Sequence, residues 1–144
     1  MFRSIVVGVD GSPTSKAALH RAVRLAESTG AELHVVCAYQ NASLASVGDV
    51  SLASSSVAEA LQNAAEELLG ESVNELKVDA IKVATHAIEG EASDALIDAA
   101  DEFDCDLIVV GNRGMRGGKR LLLGSVPNRV AHHAGRDVLI VHTS

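Results

Sequence analysis

Aromatic side chains and prolines are scarce in this chain of 144 residues, which contains one Tyr, two Phe, two Pro and no Trp. Hydrophobic residues nevertheless make up 47% of it, so a core must be built mainly from Val, Leu, Ile and Ala. Such aliphatic cores are typical of parallel sheets covered by helices. The length suits one domain, and we expect a single domain over residues 1–144.

Positive charge is also in short supply. Twelve Lys and Arg against 19 Asp and Glu give a formal net charge of -7, which argues against nucleic acid or an anionic membrane as partner. No apolar run reaches the length of about 18 residues that a membrane span requires, and the N-terminus lacks the pattern of a secretion signal. We therefore expect a cytoplasmic protein without a membrane partner.

The patterns that would indicate a disulfide or a zinc site are missing. Cys37 and Cys105 form no C-x-x-C pair, and both lie in or beside apolar runs, which predicts buried free thiols. His132 and His133 are adjacent and diverge by about 100° on a helix, unlike the i, i+4 pairs that bind zinc. We expect these two histidines at the surface.

Apolar runs alternate along the chain with segments of helical periodicity. Five runs predict strands, at residues 5–9, 33–38, 81–88, 106–110 and 138–141. Periodic segments predict helices after Pro13, Val57, Ala92 and Ser125, and residues 40–56 are predicted to form one long loop. Ser12 suits the N-cap of the first helix and Gly30 its left-handed C-cap. The alternation predicts an α/β fold, a doubly wound parallel sheet with helices on both faces.

A glycine-rich stretch follows the fourth apolar run. Gly111, Gly114, Gly124 and Ser125 are spaced as G-x2-G-x9-G-S. Glycines let backbone N–H groups approach an anion, and a Gly-Ser pair that opens a helix offers further donors. The spacing favours phosphate binding over simple turns. Four cations in this stretch either fold over the anion or stay solvated: Arg113, Arg116, Lys119 and Arg120.

The first strand ends in Asp10, at the edge of the sheet where doubly wound folds bind ligands. This carboxylate can accept a hydrogen bond from a ribose hydroxyl or hold a divalent cation that bridges phosphates. An equally favoured interpretation is a carboxylate that stabilises the start of a helix. The chain has no G-x-G-x-x-G motif, and Gly118-Lys119 is followed by Arg120, which argues against a P-loop NTPase.

These residues resemble the universal stress protein family over essentially the whole chain. The resemblance is carried by Ile5-Val6-Val7-Gly8-Val9-Asp10-Gly11-Ser12, by Gly90, by Asp106 to Gly111, by the glycine spacing and by residues 138–141. That spacing is the signature of the family's nucleotide-binding branch. The resemblance implies strand order 3-2-1-4-5, a homodimer, and an adenine nucleotide as ligand: ATP with Mg²⁺, AMP or cyclic AMP.

The resemblance also implies roles for individual residues. The nucleotide-binding residues would be Gly8, Val9, Asp10, Ala38, Val110, Gly111, Arg113, Gly114, Gly124, Ser125 and Val126. Asp10 would contact the ribose or a phosphate-bound Mg²⁺, and Ala38 would lie against adenine. The dimer contact would be formed by Val138, Leu139, Ile140 and Val141.

Two positions depart from the pattern of the branch. Pro127 stands where Ser or Thr is frequent, and it removes a hydroxyl and a backbone N–H from the first turn of the phosphate-binding helix. Fewer donors favour AMP or cyclic AMP over ATP. Ala92 stands where Gly-x-Pro is frequent, which affects the local loop shape.

The expected function is a stress-response or signalling module regulated by its nucleotide and acting on an unidentified protein partner. No catalytic residue is evident, and because no general base is evident near the phosphates, ATP hydrolysis would at most be slow. Two alternatives stay open. One is a nucleotide-dependent enzyme of the adenine-nucleotide α-hydrolase group, which would need a further catalytic motif; the other is a chaperone or scaffold without nucleotide.

Overall fold

A computed structural model describes residues 1–40, 51–112 and 125–143, with side chains from residue 56 onward in the second range. Within these ranges strands and helices alternate. Their bounds are β1 (Ser4–Gly8), α1 (Pro13–Thr29), β2 (Glu32–Tyr39), α2 (Ser51–Leu76), β3 (Val83–Glu89), α3 (Ala92–Glu102), β4 (Leu107–Gly111), α4 (Ser125–His133) and β5 (Asp137–Val141). This confirms the predicted α/β alternation.

The five strands form one parallel sheet in the order β3-β2-β1-β4-β5, as predicted. β1 pairs with β2 from Ser4 to Gly8 and with β4 from Ile5 to Val7. The strand order reverses between β1 and β4, so their carboxyl ends frame the switch point at which such sheets bind ligands. β3 is an edge strand, in keeping with the polar residues that interrupt its sequence.

Helices cover both faces of the sheet and create two aliphatic layers. Ile5 and Val7 face α1 and α2, whereas Val6 faces α3 and α4. Cys37 lies in the first layer and Cys105 in the second, and both are free buried thiols, as predicted. Burial raises the pKa of both thiols, and the charge of Asp10 adds to the rise at Cys37, so they stay protonated at neutral pH.

Capping residues fix the ends of α1 as the sequence predicts. The Ser12 hydroxyl accepts a hydrogen bond from the Ser15 N–H at 3.2 Å, and Pro13 occupies the first turn. At the other end Gly30 adopts a left-handed conformation with φ 76°. α1 therefore begins directly beside the carboxyl end of β1, next to the switch point.

α2 begins earlier than the sequence pattern predicts. The backbone is helical from Ser51, so the prediction of a loop was wrong for residues 51–56, while residues 41–50 lie outside the described ranges. The sequence from Ser51 to Gln62 contains neither Gly nor Pro and is rich in Ala and Leu, whose helix propensity outweighs that of the serines. With 26 residues α2 is long, yet neither it nor any other helix of the described ranges is apolar enough over a sufficient length to cross a membrane.

Candidate functional site

A pocket opens at the carboxyl edge of the sheet, between the ends of β1 and β4. Its lining comes from three strand ends and the starts of three helices: Gly8, Val9, Asp10, Ser15, Val36, Ala38, Ala92, Leu96, Val110, Gly111, Val126 and Pro127. Most of the residues that the sequence predicts as ligand contacts are brought together here, namely Gly8, Val9, Asp10, Ala38, Val110, Gly111 and Val126. The structure thus gathers at one place positions that are far apart in the chain.

Other predicted residues stand elsewhere. Ser125 opens α4 but is exposed and does not line the pocket. Arg113, Gly114 and Gly124 fall outside the residues that the structure describes. The predicted dimer residues form β5 at the edge of the sheet, where Val138, Leu139 and Ile140 are partly exposed and Val141 is buried.

Five lining residues are absent from the predicted contacts: Ser15, Val36, Ala92, Leu96 and Pro127. Ala92 and Pro127 stand out in the sequence only as departures from the family pattern. Two of the other three have a signal in the pattern. Val36 lies two residues before Ala38 and so shares its face of β2, and Leu96 lies one helical turn after the start of α3. Ser15 has no such signal, because a serine in the first turn of a helix is also common in helices that bind no ligand.

Hydrogen bonds hold Asp10 in a tight turn at the start of α1. Its Oδ1 accepts from the Ser12 N–H at 2.9 Å, and its own N–H donates to the Ser15 hydroxyl at 3.2 Å. That hydroxyl in turn donates to the Ser12 carbonyl at 3.0 Å. Asp10 therefore supports the helix start and also faces the pocket. Its position is compatible with both interpretations that the sequence allowed.

The floor of the pocket depends on two residues without side chains. A Cβ placed on Gly111 would lie 2.9 Å from Thr14 Cγ2 and 3.0 Å from the Thr14 carbonyl oxygen. A Cβ on Gly8 would lie 3.1 Å from Leu96 Cδ1. Real Cβ atoms essentially never come as close as the 2.9 Å to Thr14 Cγ2, and the 3.0 Å to the backbone oxygen is tighter than most, so glycine at position 111 lets β4 end against α1.

The first turns of α1, α3 and α4 all contribute to the lining, through Ser15, Ala92, Val126 and Pro127. The start of a helix carries partial positive charge and unpaired N–H groups, which attract an anion. The remaining lining is mostly apolar, from residues such as Val36, Ala38 and Leu96. The pocket is therefore suited to a molecule with an apolar part and a negatively charged part.

An ion pair joins α3 and α4 beside this pocket. Arg129 Nη1 donates to both carboxylate oxygens of Glu91, at 2.7 and 2.6 Å, and its Nη2 lies 3.6 Å from Asp94 Oδ1. The Arg129 and Glu91 side chains are 47% and 40% exposed. Solvent weakens such a pair, so it orients the two helix starts more than it stabilises the fold.

A metal ion would need help from a ligand at this site. Over residues 1–40, 56–112 and 125–143, no three side chains of the types His, Cys, Asp and Glu are close enough together to hold a metal. Asp10 could then share a cation with phosphate oxygens, because Mg²⁺ is commonly bound by one or two carboxylates together with phosphates. The Asp10 carboxylate fits this shared arrangement. Within the described ranges it does not fit a site in which protein side chains alone surround the metal.

Comparison with known proteins relates the whole chain to one family. Residues 1–142 match the model of the universal stress protein family. A universal stress protein of Mycobacterium tuberculosis is 36% identical over 148 residues, which cover 99% of this chain and 98% of that protein. The universal stress protein YxiE of Bacillus subtilis is 32% identical over 156 residues, covering 98% and 99%. A universal stress protein solved as a crystal structure in complex with cAMP is 33% identical, with a TM-score of 0.76 and 99% of each chain covered.

Proposed function

The chain belongs to the universal stress protein family, and from that premise we propose that it is a stress-response regulator controlled by an adenine nucleotide bound at the carboxyl edge of its sheet. One observation carries the proposal: Asp10, Ala38, Val110 and Gly111, to which the family resemblance gives nucleotide contacts, line a single pocket. The relative solved in complex with cAMP, which is 33% identical over 99% of both chains, supports it.

The lining suggests how the nucleotide lies. Adenine rests on the apolar wall of Ala38 and Val110, and the ribose hydroxyls donate to the Asp10 carboxylate, whose Oδ2 has no hydrogen-bond partner among the described residues. The phosphates lie at the start of α4, near Val126, where the helix dipole favours negative charge. Ser125, Arg113, Gly114 and Gly124 belong to the proposed site on their sequence positions alone.

Pro127 bears on how many phosphate groups the preferred nucleotide carries. Pro127 is buried and lines the pocket in the first turn of α4, yet it has no backbone N–H to offer an anion. We expect AMP or cyclic AMP to bind better than ATP, and Mg²⁺ to matter for ATP alone. Hydrolysis of ATP is at most slow, because the part of the lining that the structure describes holds no group placed as a general base apart from Asp10.

The proposed assembly is a cytoplasmic homodimer joined through β5. This strand lies at the edge of the sheet and presents Val138, Leu139 and Ile140, all partly exposed. An apolar edge strand gains from pairing with a second copy, because its unpaired backbone groups and side chains are then covered. The bound nucleotide would act on a regulatory protein partner through this dimer.

Isothermal titration calorimetry with cyclic AMP, AMP and ATP tests the proposal. We expect micromolar binding, at about -8 kcal/mol, for at least one of them. Asp10→Ala should weaken it at least tenfold, by about 1.4 kcal/mol, since the ribose contact is lost. Asp79→Ala, which changes an exposed aspartate outside the pocket, is the matched control. Absence of binding by folded wild-type protein would refute the proposal, and native mass spectrometry of the same sample reports the oligomer.

A further inference from the structure

The residue after β4, Asn112, is 8% exposed and makes hydrogen bonds with the last residue of β5 and with the chain beyond it. Its Oδ1 accepts from the Thr143 N–H at 3.0 Å and from the Thr143 hydroxyl at 2.8 Å. Its Nδ2 lies 3.4 Å from the Thr143 carbonyl oxygen and 3.3 Å from His142 Nδ1. The Asn112 backbone N–H donates to the Val141 carbonyl at 3.0 Å. We call this set of contacts the Asn112 clamp.

The chemistry of the clamp requires an amide side chain at position 112. Oδ1 accepts two hydrogen bonds while Nδ2 donates, so a carboxylate would lose the donor and an aliphatic residue would lose every side-chain contact and keep only the backbone bond to Val141. A buried amide left without partners is costly, and here the partners come from a segment 31 residues away. The clamp therefore fixes two distant parts of the chain relative to each other.

One of those parts reaches the pocket. Gly111, the neighbour of Asn112, lines the pocket and lies against Thr14 at the start of α1. Contact with Thr14 restrains Gly111 from one side, and the Asn112 clamp restrains the following peptide from the other. Without the clamp, the end of β4 could move away from α1, which would change the spacing between Gly111 and Asp10.

We propose that Asn112 is a positioning residue for the pocket: by its hydrogen bonds to Thr143 it holds Gly111 in the place that a bound ligand requires. The segment after β5 thereby becomes part of the support of the site, although it does not line the pocket. For the identity of the ligand this inference rests on the proposed function, whereas the geometry of Gly111 can be measured without a ligand.

Calorimetry with cyclic AMP on four variants tests the ligand side. Asn112→Ala should weaken binding about tenfold and Thr143→Val, which removes one hydroxyl, about threefold, since each 1.4 kcal/mol is a factor of ten. Thr143→Ser keeps the hydroxyl and should bind as the wild type does. Asn74→Ala changes an exposed asparagine on α2 outside the pocket and is the matched control. Wild-type affinity in folded Asn112→Ala, whatever its melting temperature, would overturn the inference.

Amide hydrogen exchange without ligand tests the geometric side. Exchange at the Gly111 amide should be about tenfold faster in Asn112→Ala than in the wild type, and unchanged in Thr143→Ser, because local opening follows the lost contacts. Faster exchange in a protein that binds no nucleotide would refute the proposed function and keep the positioning role. Unchanged exchange would refute the role itself. If Asn112→Ala does not fold, Thr143→Val decides both measurements.

Discussion

The two ends of the sheet differ in how their polar groups are used. At the amino ends of the strands, polar groups bind one another: the Arg3 and Ser4 amides donate to Asp106, and Arg136 donates to the Ala100 and Cys105 carbonyls. At the carboxyl ends, three helix starts and a carboxylate face an open pocket. The polar groups named at the amino end bind one another, while the carboxyl end, besides the Asn112 clamp and the turn at Asp10, presents groups that a ligand could satisfy. That contrast supports the carboxyl end as the place of the proposed site.

A stack of three rings lies beside the amino half of β2 and the middle of β3. The rings of His34 and His86 lie 4.7 and 4.1 Å from that of Phe103, and His34 Nδ1 is 2.9 Å from His86 Nε2. Glu32 Oε1 lies 3.3 Å from His34 Nε2. Because these groups pair internally, we assign this stack a structural role.

The largest effect on stability is expected from a substitution at Gly111, at the pocket end of the sheet. Gly111→Ala places a Cβ against Thr14, and overpacking of this kind costs about 1–3 kcal/mol in the free energy of unfolding. Gly70→Ala is the matched control: it adds a Cβ within α2 that meets nothing within 4 Å, and should stabilise by about 0.5–1 kcal/mol. Urea unfolding measures both, and equal stabilities for Gly111→Ala and wild type would show that Thr14 yields readily.

The next effect concerns the amino end. Asp106→Ala leaves the Arg3 and Ser4 amides without their acceptor and should lower the free energy of unfolding by about 1–2 kcal/mol, with nucleotide affinity unchanged. Asp98→Ala, an exposed change on α3, is the control. An effect on affinity as large as that of Asp10→Ala would contradict the separation of the two ends.

The same aspartate predicts a pH dependence. Burial alone would raise the pKa of Asp106, but the hydrogen bonds from the Arg3 and Ser4 amides outweigh it and hold that pKa below its usual value of 3.8. A lowered pKa in the folded state means that the stability is present above the unfolded value and is lost as the pH falls through the folded one. The difference in unfolding free energy between Asp106→Ala and wild type should therefore shrink in strong acid.

A smaller effect should appear at His86 in mild acid. Burial, and then the neighbouring His34, lower the pKa of His86 below its usual 6.5, although Glu102 opposes them. The unfolded chain then binds the proton first, so stability is complete above that unfolded value and declines as the pH falls from it through the folded pKa. Melting temperatures across this range should decline less in His86→Phe, which keeps an aromatic ring in the stack. A parallel decline in wild type and variant would contradict this, and His132→Ala, an exposed histidine, is the control.

The smallest effect is expected at the ion pair beside the pocket. Glu91→Gln removes the charge that Arg129 binds, and exposed pairs contribute about 0.2–1 kcal/mol. The difference should shrink in high salt because mobile ions screen exposed charges. Glu89→Gln, an exposed change at the end of β3, is the control, and urea unfolding at two salt concentrations is the measurement. A loss that persists in high salt would indicate a contact other than the charge.

Much of the fold could be predicted because its signals are local. The periodicity of the strands, the cap at Ser12 and the left-handed Gly30 each depend on neighbours in sequence, and all were confirmed. The start of α2 was predicted wrongly because serines between residues 51 and 56 weaken the periodic pattern without breaking the helix.

In the candidate site, too, the residues with a local sequence signal could be predicted and those without one could not. Asp10 and Gly111 follow strands and are visible as such, so the structure finds them in the pocket where the sequence suggested. The pairing of Arg129 with Glu91 and of Asn112 with Thr143 joins residues 38 and 31 positions apart. Such contacts arise from the packing of whole helices and strands, and no local sequence pattern predicts them.

The short pairing of β1 with β4, from Ile5 to Val7, has a consequence for thermal stability. It makes a seam between one half of the sheet, with β1, β2 and β3, and the other, with β4 and β5. The pocket sits at the top of this seam, with Asp10 on one side and Gly111 on the other. A molecule bound there would contact both halves of the sheet, so we expect the protein to melt at a higher temperature with its ligand than without it.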